Sequence, residues 1–195
     1  MLLLLGFALA AMATAPVQAQ TATETVLHHF ASPPQGAYPE AGVVRDPAGN
    51  LYGTTVNGGA AGWGVVFKLD TAGRQTVLYN FTGGADGGNP SGGVIGDSAG
   101  NFYGTTLNGG AASWSVVFKL DKSGQETVLY SFTGGTDGWN PSGGVIRYSA
   151  GNLYGTTQIG GAVGWAWCSK WISPARRRCC TASRTSPMGS ALPEV

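Results

Sequence analysis

The sequence predicts an all-β protein, an incomplete β-propeller-like array of four-stranded antiparallel blades with two complete units and a partial one. Three observations predict it. Asn50-Leu51-Tyr52-Gly53-Thr54-Thr55 returns as Asn101-Phe102-Tyr103-Gly104-Thr105-Thr106 and again as Asn152-Leu153-Tyr154-Gly155-Thr156-Thr157. A fixed period of about 51 residues marks units that cannot bury their apolar surface alone and must stack. Of 195 residues, 33 are glycine and only 11% are charged, and β-branched and aromatic runs stand between Gly, Asn and Pro. That composition belongs to short strands joined by tight turns. Helical periodicity is absent after residue 20.

Residues 1–19 read as a signal peptide. The apolar run 2–15 is too short to span a bilayer and leads into the small-residue pattern Val17-Gln18-Ala19. Met1 passes straight into leucines with no basic stretch, so the signal is atypical or the true start lies elsewhere. The competing reading is a buried apolar strand or helix. Export is the expectation, to the extracellular space or cell surface, with the periplasm as a further destination.

The repeats fill residues 20–165. A lone last strand of a unit occupies 24–32, the first unit 42–83, the second 92–134 and a partial third 143–165. Within a period four strands are predicted, in the second unit at 93–95, 101–107, 116–121 and 126–132. Alternation supports the fourth: in its counterpart one period earlier, Val77, Tyr79 and Phe81 share one face while Leu78 and Asn80 share the other. Asp70-Thr71-Ala72-Gly73 and Asp121-Lys122-Ser123-Gly124 are hairpin turns, with Asp accepting local backbone bonds and Gly supplying positive φ. Asp46-Pro47-Ala48-Gly49-Asn50 does the same between the first two strands. A propeller closes with about four to eight blades, so this array leaves sheet faces and edges open to self-association. The lone strand at 24–30 is placed to complete the last blade of a closed ring.

Residues 166–195 break the period. A Gly-Val-Val-Phe-Lys-Leu-Asp strand is due after Trp165, yet the chain reads Ala166-Trp167-Cys168-Ser169-Lys170-Trp171. Moving the reading frame back by one base turns Trp167-Cys168 into Val-Val, Ser169 into Phe and Trp171 into Val, given permitted codons. The same shift lets Cys179-Cys180-Thr181-Ala182-Ser183 read as Val-Leu-Tyr-Ser-Phe, in the slots of Val128 to Phe132. The tail is therefore expected to be an out-of-frame translation of the third repeat and disordered, the alternative being a genuine basic tail. On this reading Cys168, Cys179, Cys180 and Arg176-Arg177-Arg178 carry no site.

The string Gly-Val-Val-Phe-Lys-Leu-Asp, a Gly-containing turn, Glu-Thr-Val-Leu-Tyr-Ser-Phe-Thr-Gly-Gly-Thr-Asp-Gly, Asn-Pro and Gly-Asn-Leu-Tyr-Gly-Thr-Thr resembles the GloVer-type tandem repeat of bacterial exported proteins. The resemblance covers about residues 24–165. It implies a propeller-forming array, often joined to a C-terminal sorting anchor, and no enzymatic activity. With far fewer repeats and no such anchor, this chain reads as a truncated copy.

Charge excludes one class of partner. Residues 20–165 hold six Lys/Arg and nine Asp/Glu, and the tail holds five basic residues and one acidic. A mildly acidic body has no footprint for nucleic acid. Trp63, Trp114 and Trp165 recur at the end of a Gly-Gly-Ala loop, and two readings stand for them. As inter-blade plugs they would recur because packing recurs, the preferred reading; clustered on one propeller face they would be stacking platforms for sugar rings. Asp86, Asn89, Asp137 and Asn140 recur in a Gly-rich loop as weak calcium candidates, although calcium needs six to eight oxygens and Asx turns explain the same residues. His28 and His29, adjacent on a strand, point to opposite faces and make a poor metal pair.

No catalytic residue, metal or cofactor is expected. The chain lacks a Gly-x-Ser-x-Gly elbow, a His-Glu-x-x-His pair and a Walker loop. The expected function is a non-catalytic exported or cell-surface repeat protein, a structural or binding module whose partner is a glycan or a cell-surface component. The alternative is a fragment of a propeller-type carbohydrate-active enzyme or glycan-binding protein.

Overall fold

The structure, a computed structural model, describes residues 23–30, 34–148 and 150–160 and the strand backbone over 167–172 and 176–179. Residues 1–19, expected to be a signal peptide, Trp165 and the rest of the tail lie outside the described residues. Among the described residues the chain is all-β, with twelve strands and no helix. The first sheet comprises β1 (Val44–Arg45), β2 (Leu51–Thr55), β3 (Val65–Leu69) and β4 (Gln75–Asn80). The second comprises β5 (Val94–Gly96), β6 (Phe102–Thr105), β7 (Val116–Leu120) and β8 (Glu126–Ser131). The third comprises β9 (Val145–Arg147), β10 (Leu153–Thr157), β11 (Trp167–Ile172) and β12 (Arg176–Cys179). Each sheet is antiparallel with its strands in chain order, and none closes on itself.

Register repeats with the period. Gly53 faces Phe67 and Gly104 faces Phe118, and a bulge falls between Val66 and Phe67 and again between Val117 and Phe118. The runs Val65-Val66-Phe67 and Val116-Val117-Phe118 are buried at every residue, because both faces of the strand are covered. Val66, Phe81, Val94, Val116, Phe118 and Leu120 form the core between the first and second sheets. Val117, Phe132, Val145 and Leu153 form the core between the second and third. Val65, Phe67 and Leu69 line the remaining face of the first sheet, where Phe30 packs against them. The first strands β1, β5 and β9 lie side by side along the array. Their approach requires glycine, since a Cβ on Gly92 would lie 2.2 Å from the backbone nitrogen of Gly144.

Two expectations need correction. The segment 24–30 is not a strand, although it lies against the first sheet. A strand needs a hydrogen-bonding neighbour, and no strand of a preceding unit stands beside it among the described residues. The tail, expected to be without structure from 166 onward, carries strand backbone over 167–172 and 176–179. Leu153 pairs with Trp171 as Leu51 pairs with Leu69 and Phe102 with Leu120, so β11 takes the third-strand position. Backbone groups on the outer edge of β10 accept such a neighbour whatever side chains it carries.

Candidate functional site

The antiparallel order sorts the connections between two ends. Hairpins β1–β2 and β3–β4, with their repeats, lie at one end, and the β2–β3 loops and the links between units lie at the other. Backbone pairs Ala37 with Asn57, Gly88 with Asn108 and Trp139 with Ile159 join each link to a β2–β3-type loop. The loop end is thereby one continuous surface across three units.

At the hairpin end every recurring acid is engaged by its own turn. Asp97 accepts from the backbone of Ala99 and Asn101, from Asn101 Nδ2 at 2.9 Å and from Tyr103 Oη at 2.9 Å. Partial burial pushes its carboxyl up, but the bonds from Asn101, Tyr103 and Ala99 together outweigh it and hold the group at about 2. Asp46 repeats this arrangement with Asn50 and Tyr52, and the Asn50 side chain leads in lowering it. Asp121 is lowered first by the Ser123 hydroxyl and Asp70 first by the Arg74 amide.

The calcium candidates are likewise engaged, and with different partners. Asp86 accepts from Tyr79 Oη at 3.0 Å, from the Thr82 amide at 2.8 Å and from the Thr82 hydroxyl. Asp137 holds Tyr130 and Thr133 in the same way. Asn89 and Asn140 adopt positive φ of 55° and 61°, which Asn tolerates, but their side chains bond across to other loops and not to their own turn as the Asx-turn reading expects. Asn89 donates to the Val56 carbonyl and to Asn57 Oδ1 and accepts from Asn108 Nδ2 at 2.8 Å. Among the described residues no three His, Cys, Asp or Glu side chains gather as a metal site. His28 places Nδ1 3.2 Å from the Gly73 carbonyl and its ring edge-on to Phe30.

The indoles stand at the loop end. Trp63 follows a turn closed by Gly62 N to Gly59 O and Gly64 N to Gly58 O, and Asn80 Oδ1 accepts from Ala60 N within it. The Asn89 amide donates to the Trp63 carbonyl at 2.7 Å, tying the loop to the following link. The Trp63 ring covers Gly83, where a Cβ would lie 2.3 Å from the indole, and Trp114 covers Gly134 in the same way at 2.4 Å. Both indoles remain substantially exposed, Trp63 at 40% and Trp114 at 38%. They rest on the link between units without being enclosed by it.

The structure adds residues that the repeat did not single out. Trp139 stands where the preceding unit has Gly88, and its ring lies 4.7 Å from that of Trp114. Tyr38, 65% exposed, takes the positive-φ position of Asn89 and Asn140 one and two periods later. Asn57 and Asn108 carry exposed side-chain amides at the loop end, joined through Asn89, whose backbone amide meets the Trp63 carbonyl. Comparing slots along the period would have flagged Tyr38 and Trp139 as the aromatic departures from it. The indoles offer flat apolar faces and the asparagines offer neighbouring donors and acceptors, which suits ligands with one apolar and one hydroxylated side.

One acid differs from the rest. Glu126, at the start of β8, is pushed up to about 7, first by burial and then by the nearby charge of Asp86. Its Oε1 is buried without a hydrogen-bond partner.

Fold and repeat together define an all-β tandem-repeat protein of stacked four-stranded units with one aromatic loop end. The chain belongs to the Gloeobacter/Verrucomicrobia repeat family, GloVer, which matches residues 15–166. No curated protein matches it.

Proposed function

We propose that the chain is a non-catalytic, exported or cell-surface binding module that takes up glycan chains along its loop end. The supporting observation is that Trp63 and Trp114, one unit apart, are each held half-exposed on a glycine platform beside asparagine amides. An unbranched polysaccharide offers successive sugar rings to such a series, and each ring presents an apolar face for stacking and hydroxyls for the amides. The non-catalytic reading is supported by the acids: Asp46, Asp70, Asp86, Asp97, Asp121 and Asp137 all accept bonds within their own turns or loops. Asp86 is held by Tyr79 and Thr82 and Glu126 Oε1 is buried, so this pair does not offer two free carboxyls to flank a glycosidic bond. Export is supported by the apolar run and small-residue pattern within residues 1–19.

Calorimetric titration of the full chain with a panel of soluble polysaccharides tests this reading, with release of reducing ends followed in parallel. At least one polymer is expected to bind without turnover, and Trp63→Ala with Trp114→Ala to weaken it about tenfold or more without altering the melting curve. Binding indifferent to both substitutions would remove the loop end from consideration. Turnover would favour the carbohydrate-active enzyme instead.

A further inference from the structure

Residues 23–30 lie on the first sheet as β4 lies on the second. Phe30 meets Phe67 with ring centroids 4.9 Å apart at 60°, and one period on Phe81 meets Phe118 at 5.1 Å and 68°. His28 is edge-on to Phe30 at 4.9 Å as Tyr79 is to Phe81 at 5.1 Å. The Leu27 carbonyl approaches Gly73 where the Leu78 carbonyl approaches Gly124. The segment holds the outer-strand position of a preceding unit, yet it carries no sheet pairing. Val26 and Leu27 are 59% and 61% exposed, whereas their counterparts Val77 and Leu78 pack into the cores on the two faces of the first sheet. His28 Nε2 and Gln75 Oε1 are buried there without partners.

The space beside the segment has a defined shape. A cavity of about 300 Å³ lies there, lined by Leu27, Arg45, Leu51, Leu69 and Thr71. At the next interface Tyr52 fills the corresponding space, its ring 4.5 Å from that of Phe102, which is one period after Leu51. The outer-strand position of a preceding unit is therefore taken by 24–30, while the space beside it, against Leu51 and Leu69, is unfilled.

We infer that residues 24–30 are a donated outer strand, completing the third unit of a second copy of this chain, whose inner strands fill the cavity and cover Val26 and Leu27. The surface involved continues an interface seen twice within the chain, between the first and second sheets and between the second and third. Glu24-Thr25-Val26-Leu27 and Phe30 share Thr, Val, Leu and Phe with 75–81 and 126–132, whereas β12 has Arg176-Arg177-Arg178-Cys179. The donated strand therefore displaces β12 from β11, adding a strand to a sheet edge with apolar side chains on both faces. Two copies joined head to tail extend the array or close it.

The repeated register names the test. Val66 pairs with Tyr79 and Val117 with Tyr130, so His28 of one copy falls opposite Cys168 of the other. Cross-strand Cα separations of about 4.5–5.5 Å are within disulfide reach. The full chain carrying His28→Cys with Cys179→Ser and Cys180→Ser is expected to give disulfide-linked dimers or longer chains on oxidation. The unmodified chain is expected to associate with concentration in sedimentation velocity, and Val26→Asp with Leu27→Asp to leave it monomeric. These two residues are exposed, so monomer folding does not depend on them. A monomer at every concentration overturns the inference. So does association that survives the aspartates, or a disulfide between positions 28 and 168 that forms within one chain.

Discussion

Glu126 and Gln75 hold the same slot at the head of the outer strand and differ by one polar group. Gln75 donates its Nε2 to the Gln35 carbonyl at 2.6 Å, whereas Glu126 faces Asp86, one period after Gln35, and has no amide to offer. Burial raises the carboxyl to about 7, and the like-charge neighbour that replaces the bond adds to the rise. Between about pH 4.5 and 7 the folded chain holds a proton that the unfolded chain has released. Its contribution is complete below that window and is lost as pH rises through it. Asp97 behaves oppositely: held at about 2, it contributes above its unfolded value and loses that contribution as pH falls through the acid range. Melting temperature is therefore expected to peak at about pH 4 and to decline between about pH 4.5 and 7. Glu126→Gln, which restores the residue of the first unit, should flatten the decline and leave the acid limb unchanged. A variant whose profile parallels the parent on both limbs would place the responsible proton elsewhere.

At the scale of the strand, the glycine of the Tyr-Gly-Thr-Thr motif is explained by space and not by backbone angle. Neither Gly53 nor Gly104 has positive φ. A Cβ on Gly53 would lie 2.8 Å from Phe67 Cζ, and on Gly104 2.7 Å from Phe118 Cζ, because each glycine sits directly across from the phenylalanine of the third strand. The ring lies over the glycine and shields its backbone, as aromatic partners do for glycines in sheets. The two motifs of the repeat are thus one contact read from two places in the chain. Gly104→Ala is expected to cost about 1–3 kcal/mol in urea denaturation. Phe118→Leu in the same chain should recover part of that loss, giving a coupling term in a double-mutant cycle. Costs that simply add would separate the two residues.

For the whole molecule, stability comes from sheet-on-sheet contact between neighbours, as in other repeat arrays. Phe81 is fully buried between the first two sheets, and Phe81→Ala should cost about 3–5 kcal/mol. Phe30 occupies the matching position on the open side with only one sheet beneath it, and Phe30→Ala should cost about 1–2 kcal/mol. Hydrogen exchange distinguishes the two. Loss of Phe81 should open the first and second sheets together, and loss of Phe30 should open the first alone. Equal effects would mean that the segment 24–30 is as firmly seated as an internal strand.

The period, the four strands of each unit and the hairpin turns were legible in the sequence, because alternation, turn chemistry and repetition are local and each unit restates them. The turn roles of Asp46, Asp70 and Asp121 were legible for the same reason, since their partners lie within six residues. Trp139 and Tyr38 show in the sequence only as departures from the period, and the contact of Trp139 with Trp114 was not legible, because only stacking makes it. The pairing of Glu126 with Asp86 and the cover of Gly83 by Trp63 were also invisible, as was the seating of 24–30 on a sheet to which it is not hydrogen-bonded. Each of these depends on distances between residues of different loops, strands or units. Such distances are set by how sheets stack and where loops meet, which no single stretch of chain encodes.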